Sequence, residues 1–281
     1  MENFSHEPAA TQPNRQAIVV VSFGSTFNET RTKDIGGIEA AIAAAFPHRA
    51  FKRAFTSRVI RARLAQNQDL QIDDLPTALT ALKNAGYTDV LVQPTHLLHG
   101  EEYEQKIVAA VQQQQADFSR LVLSTPLLTA PNDFAVAAAA VAAQFPTLAP
   151  KGGIVLMGHG SPRDNNQSFG NTYNLLQQCF DKMHLPVVVG TVETADTPNI
   201  EAVLQQVHSR GYQSVHLFPL MIVAGDHANN DMYSDEEDSW KSRIEKTGVR
   251  TIGHLQGIGR NAAIQAIYVQ HALAAAAGIQ N

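Results

Sequence analysis

Ile154-Val155-Leu156-Met157-Gly158-His159-Gly160-Ser161 and Leu217-Phe218-Pro219-Leu220-Met221-Ile222-Val223-Ala224-Gly225-Asp226-His227 carry the clearest fold signal in the chain. Each is a nearly unbroken apolar run that stops at glycine and delivers a histidine just past the stop. Such runs read as parallel strands buried on both faces. In open α/β sheets the ligand crevice lies beyond the carboxyl ends of the strands. An imidazole placed there can offer a neutral nitrogen to a metal or act as a base near neutral pH. One histidine so placed is weak evidence; two at matching positions in similar half-chains are stronger.

The half-chains do match. Ala78 to Pro94 leads through Gly86-Tyr87 to Gly100-Glu101-Glu102, and Val203 to Pro219 leads through Gly211-Tyr212 to Gly225-Asp226-His227. One offset of 125 residues relates both pairs (211 − 86 and 227 − 102). Each copy reads as a helix, a Gly-Tyr turn, a buried strand and a polar loop. Ser22-Phe23-Gly24-Ser25 likewise ends an apolar run, as Gly158-His159-Gly160-Ser161 does. In this alignment Glu102 stands opposite His227 and Phe23 opposite His159. A duplicated βαβ array with its chemistry concentrated in one copy is the natural reading.

Strand patterns cover residues 17–22, 50–56, 90–93, 121–124, 153–157, 187–192, 215–220 and 250–252, with helical patterns between them. This alternation predicts an α/β chain: two similar parallel-sheet βαβ domains enclosing a cleft. Residues 1–16 read as a flexible tail, 17–148 as an N-terminal α/β domain and 149–281 as a C-terminal one. The Pro/Gly-rich stretch from Phe145 to Gly153 is the linker candidate. The alanine-rich helix expected over residues 261–278 is a candidate to pack back on the first domain. Asp235-Glu236-Glu237-Asp238 reads as a solvated helix start.

Composition narrows the function. A hydrophobic fraction of 44% suits a globular chain, and no run of about 18 apolar residues marks a membrane span. The N-terminus has no basic segment followed by an apolar one, so a cytoplasmic location is the expectation. One cysteine, Cys179, allows no intrachain disulfide and argues against a thiolate metal site. A net charge of −5 without a basic stripe argues against nucleic acid as a partner. There is no phosphate-binding lysine loop, no Gly-x-Gly-x-x-Gly after the first strand and no Gly-x-Ser-x-Gly.

The polar loops carry the candidate chemistry. Asp226-His227-Ala228-Asn229-Asn230-Asp231 supplies carboxylates, amides and an imidazole; it suits a metal or proton-transfer site, and equally a helix start capped by Asp226 or Asn229. Gly158-His159-Gly160 lets a large ligand approach the backbone. Gly100-Glu101-Glu102 fits a carboxylate facing the imidazoles, or acidic residues stabilising a first helical turn. His96 and His99, just before it, stand as cleft residues, as a secondary metal or haem contact, or as capped and solvated side chains. Glu193 is a further carboxylate at a strand end. Ser22 to Thr26 can hold an anion by backbone amides. His216, inside a strand, reads as a hydrogen-bonded core residue.

Taken in order, Val20 to Thr26, Arg53 to Arg58, His99-Gly100-Glu101-Glu102-Tyr103, Met157 to Gly160 and Gly225 to Met232 resemble the class II chelatases of tetrapyrrole biosynthesis. The likeness is nearest to the anaerobic-type sirohydrochlorin cobalt chelatases. The resemblance implies a chelatase-like fold and ATP-independent insertion of cobalt(II) into sirohydrochlorin in cobalamin biosynthesis. Cobalt would be the substrate metal, with no organic cofactor required and haem left open. The resemblance also implies His159 and His227 as the metal-handling pair with Glu102 as the facing acid, Glu101 being the alternative one register away. Imidazole and carboxylate suit divalent cobalt, nickel or iron. Sirohydrochlorin carries many carboxylates, so Ser22, Gly24, Ser25, Thr26, Arg53 and Arg58 are the candidate holders. The rival readings are a non-catalytic tetrapyrrole- or metal-binding protein and iron insertion for sirohaem. A homo-oligomer stays open.

Overall fold

Two four-stranded parallel sheets organise the described residues of the computed structural model, which are 15–160, 172–193 and 197–279. In order the elements are β1 (Gln16–Ser22), α1 (Asn28–Thr30), α2 (Gly36–Ala45), β2 (Ala50–Phe55), α3 (Arg58–Gln68), α4 (Leu75–Asn84), β3 (Asp89–Pro94), α5 (Glu101–Tyr103), α6 (Ala109–Gln114), β4 (Arg120–Leu123) and α7 (Pro131–Ala142). The second half follows with β5 (Gly152–Gly158), α8 (Thr172–Lys182), β6 (Val187–Thr191), α9 (Ile200–Ser209), β7 (Ser214–Pro219), α10 (Trp240–Glu245), β8 (Arg250–Gly253) and α11 (Ala262–Ala276). Every strand expected from the sequence is present, with ends shifted by a residue or two. Residues 1–14 of the expected tail lie outside the described residues, as does Ser161.

The duplication is visible in the topology. The sheets run β2-β1-β3-β4 and β6-β5-β7-β8, the same order in each half. The repeated Gly-Tyr turns also match. Gly86 and Gly211 both adopt left-handed backbone, with φ of 79° and 66°. Each lets the tyrosine amide reach back to the helix: Tyr87 N to Leu82 O at 3.0 Å, and Tyr212 N to Val207 O at 3.3 Å. Glycine bears no steric penalty at such a helix end, which is why the sequence repeats it. The acidic run 235–238 differs from expectation. It forms an exposed turn, and Ser239 caps α10 by accepting from Ser242 N at 3.1 Å. A serine oxygen satisfies a free helix amide directly, while the flanking carboxylates stay solvated and pair with Lys241 and Lys246.

The last helix of each half crosses to the other. α7 packs against α8, and α11 packs against α2 and β3. The inner faces of both sheets therefore share one apolar core, which runs from Ile18, Val20 and Leu91 through Ala138 and Tyr268 to Ile154 and Leu156. Tyr268 secures the crossing. Its buried hydroxyl lies 2.9 Å from Thr95 O and 3.1 Å from His96 O. Two further clusters fill the outer faces, one around Val19 and Val90, the other around Val155 and Val215.

Candidate active site

A cavity of about 520 Å³ opens at the carboxyl ends of β1, β3, β5 and β7. The strand ends supply its floor because apolar runs stop there and polar loops begin. His159 follows β5 and His227 follows the irregular segment after β7; both line this cavity. Their rings meet edge to face with centroids 4.8 Å apart.

Each imidazole is oriented through Nδ1. His159 Nδ1 lies 3.0 Å from Gly160 O. A carbonyl can only accept, so Nδ1 carries the hydrogen and Nε2 keeps its lone pair. His227 Nδ1 lies 2.6 Å from Asp231 Oδ2, one turn along the π-helical segment Ala228–Met232. A carboxylate acceptor imposes the same tautomer, again leaving the Nε2 lone pair free. Glu193 Oε1 stands 3.8 Å from His159 Nε2, so a carboxylate faces the first ring. The loop 226–231 is not capped as its composition allowed. Asn229 Nδ2 donates to Gly225 O at 2.7 Å, and Asp226 Oδ1 accepts from Asn230 Nδ2 at 2.9 Å.

Glu102 lines the same cavity and Glu101 does not. Glu102 Oε1 accepts from Lys106 Nζ at 2.9 Å, while Glu101 Oε1 accepts from Gln105 Nε2 at 2.7 Å. Among the described residues no three His, Cys, Asp or Glu side chains gather into a ready-made ion cage. The assembled donor set is thus the histidine pair, with Glu102 in the wall of the same cleft.

The first-half loop forms another part of the wall. Ser22 Oγ and Thr95 Oγ1 hydrogen bond at 2.8 Å, as do Ser25 Oγ and Thr30 Oγ1. Arg31 Nη1 donates to Ser25 O at 3.0 Å. Gly24 adopts φ +106°, and a Cβ built there would sit 2.7 Å from the Phe55 ring. Phe23 and Phe27 line the cleft with 48% and 40% of their surface exposed, so two aromatic faces are open to a ligand.

The arginines fall differently from expectation. Arg53 does not line the cleft. It sits on the face of β2 that meets α2, where Nε donates to Glu39 Oε1 at 2.7 Å. The alternation of side chains along a strand sends it there while Ala54 is buried in the outer core. Arg58 is exposed at the start of α3 and also stays outside. Among the described residues the arginine that lines the cavity is Arg63, five residues further along that helix. Neither its charge nor the spacing within α3 singles it out in the sequence.

His96 lines the cleft, while both ring nitrogens are buried without a hydrogen-bond partner among the described residues. Burial lowers its pKa from 6.5 to about 4; Glu102 pulls it up slightly and Lys106 pushes it down. His96 is therefore neutral throughout the pH range in which an ordinary histidine titrates. His99 is engaged elsewhere, with Nε2 at 3.0 Å from Thr129 Oγ1 and its ring edge-on to Tyr103. His216 Nδ1 lies 2.9 Å from His254 Nε2, on the partly exposed β7–β8 face.

With this geometry established, the comparisons with known proteins identify the lineage. The family model described as Cobalt chelatase (CbiK) matches residues 16–277. The chain belongs to the CbiK cobalt chelatase family. A sirohydrochlorin cobaltochelatase of Salmonella typhimurium is 40% identical over 257 residues, covering 92% of this chain and 95% of that relative. The sirohydrochlorin cobaltochelatase CbiKC of Nitratidesulfovibrio vulgaris is 30% identical over 270 residues, covering 95% and 93%. Among solved structures, SirB from Bacillus subtilis with Fe3+ superposes with a TM-score of 0.58 at 17% identity, covering 94% of this chain and 96% of that one. At that identity the likeness bears on fold alone. The sequence resemblance to class II chelatases thus holds for the family and the architecture. No described helix is long and apolar enough to cross a membrane.

Proposed function

We propose that this chain inserts cobalt(II) into sirohydrochlorin without ATP, as a step in cobalamin biosynthesis. The observation that carries the reading is the His159–His227 pair: two imidazoles 4.8 Å apart, each held through Nδ1 so that Nε2 is the ligand nitrogen. Nitrogen donors of this kind suit a divalent first-row ion. Two imidazoles without a closed cage hold an ion that is to be handed on, because a full protein coordination sphere would compete with the macrocycle.

Metallation replaces two pyrrole N–H protons by one cobalt ion, so two protons must leave. Glu193, facing His159, and Glu102, in the cleft wall, are the carboxylates assigned to receive them. Phe23 and Phe27 offer flat faces to the macrocycle, and Arg63 with the amides of residues 23–26 offers positive ends to its carboxylates. The substrate contacts assigned to Arg53 and Arg58 pass to Arg63 in this reading. No organic cofactor enters the step.

Incubating the protein with sirohydrochlorin and cobalt(II) and following the visible absorption tests this directly. His159→Ala and His227→Ala should each lower the insertion rate by about 100-fold or more, since even orienting partners of metal ligands are worth 10–100-fold. Wild-type rates in both variants would remove the pair from the mechanism. Tight sirohydrochlorin binding without insertion would favour a carrier, and insertion of iron but not cobalt would redirect the reading to sirohaem.

A further inference from the structure

Asp34 is a carboxylate of the first half that is wholly enclosed by the second. It lies in the π-helical turn Arg31–Ile35, and its side chain has no exposed surface. Oδ1 accepts from Arg260 Nε at 2.6 Å, and Oδ2 accepts from Ala224 N at 3.2 Å. The Gly257 amide is a third donor. Burial raises the pKa of this carboxyl, while Arg260 and the two amides pull it back down.

The contacts converge on the segment that delivers His227. Ile258 N donates to Met221 O at 2.9 Å, and Gly259 N to Ile222 O at 3.0 Å. The fit leaves no room for a side chain. A Cβ on Gly257 would lie 2.3 Å from Ile222 O and 2.5 Å from Asp34 Oδ2. Residues 220–224 are thereby gripped between loop 257–260 and Asp34, and His227 follows three positions later. His159, in contrast, is secured within its own half: His159 O accepts from Glu193 N at 3.1 Å, and Gly160 N donates to Tyr173 Oη at 3.1 Å.

We infer that Asp34 is the positioning residue that sets His227 at its working distance from His159, through the Ala224 amide and Arg260; this rests on the metal-handling role proposed for the pair. Asp34 itself does not line the cleft. The segment it grips does line the cleft, but the gripped residues are apolar wall while His227 is the proposed ligand, so its effect should be larger on the affinity for metal than on that for the macrocycle.

Cobalt(II) binding to the full-length protein, titrated spectroscopically without sirohydrochlorin, tests this, together with melting temperature and the steady-state KM and kcat. Asp34→Asn keeps an oxygen for one amide and loses the charge that Arg260 needs. The expected result is a cobalt Kd weakened about tenfold or more and a lowered kcat, with a smaller change in KM for sirohydrochlorin. Arg260→Lys keeps the charge on a looser bond and should move cobalt affinity in the same direction by less; it carries the test should Asp34→Asn not fold. Wild-type cobalt affinity in both variants, with only the melting temperature lowered, would reduce Asp34 to a strut between the halves and overturn the inference. His159→Ala is the control: if it binds cobalt as well as wild type does, the metal-handling reading fails, and the inference with it.

Discussion

Removing the His96 imidazole should flatten the acid side of the stability curve. The folded protein holds this ring neutral, with its pKa lowered from 6.5 to about 4 chiefly by burial. The unfolded chain protonates it near 6.5. Between these values the unfolded state binds the extra proton, so acid favours unfolding. The contribution is fully present above about pH 6.5, is lost progressively as pH falls, and levels off below about pH 4. At about 1.4 kcal/mol for each tenfold change in proton affinity, the whole drop is worth about 3 kcal/mol, of which about 2 kcal/mol is lost between pH 6.5 and 5. Against a typical stability of about 5–15 kcal/mol that is a measurable share. Urea unfolding at a series of pH values, for wild type and His96→Phe, reads the difference in slope whatever the variant's baseline. His216 and His254, also lowered by burial, act equally in both proteins and cancel. Parallel stability curves from pH 7 to 4.5 would refute the placement of a neutral, unpartnered ring at the cleft.

Three further outcomes are expected. Asp231→Asn should weaken cobalt binding by about 10–100-fold, measured by titration, because His227 Nδ1 loses the carboxylate 2.6 Å away that fixes its tautomer. Gly24→Ala should destabilise the fold by about 1–3 kcal/mol in chemical denaturation, since φ +106° and a Cβ 2.7 Å from Phe55 are both unfavourable; the loop should also bind sirohydrochlorin less well. Tyr268→Phe should destabilise by about 1–3 kcal/mol at unchanged KM, as two buried carbonyls share that hydroxyl.

β5 and β7 were legible because they open apolar runs that stop at glycine, and the duplication because the Gly86-Tyr87 and Gly211-Tyr212 turns need the same left-handed glycine. His159 and His227 were legible because strand ends are where crevices form. What the sequence concealed was set by partners far along the chain. Arg53 looks like an anion holder until Glu39 is seen to occupy it, and Arg63 looks like any helix cation until α3 turns it to the cleft. Asp34 sits inside an alanine-rich helical pattern that hides a π-helical turn, and its partners lie 190 and 226 residues away. The burial of His96 depends on packing that no local pattern encodes.

The crossing of α7 and α11 has a consequence for how this chain must be made. Until the residues beyond 260 have been made and released, the apolar face around Ile18, Val20 and Leu91 still waits for Ile264, Ile267 and Tyr268. The first half cannot finish folding ahead of the second, so co-translational assembly ends with its opening segment. A backbone cut in the turn between α7 and β5 would leave each fragment carrying the helix that completes the other. Expressed apart, each would expose the core it lacks; expressed together, the two would find one another and restore a single cleft.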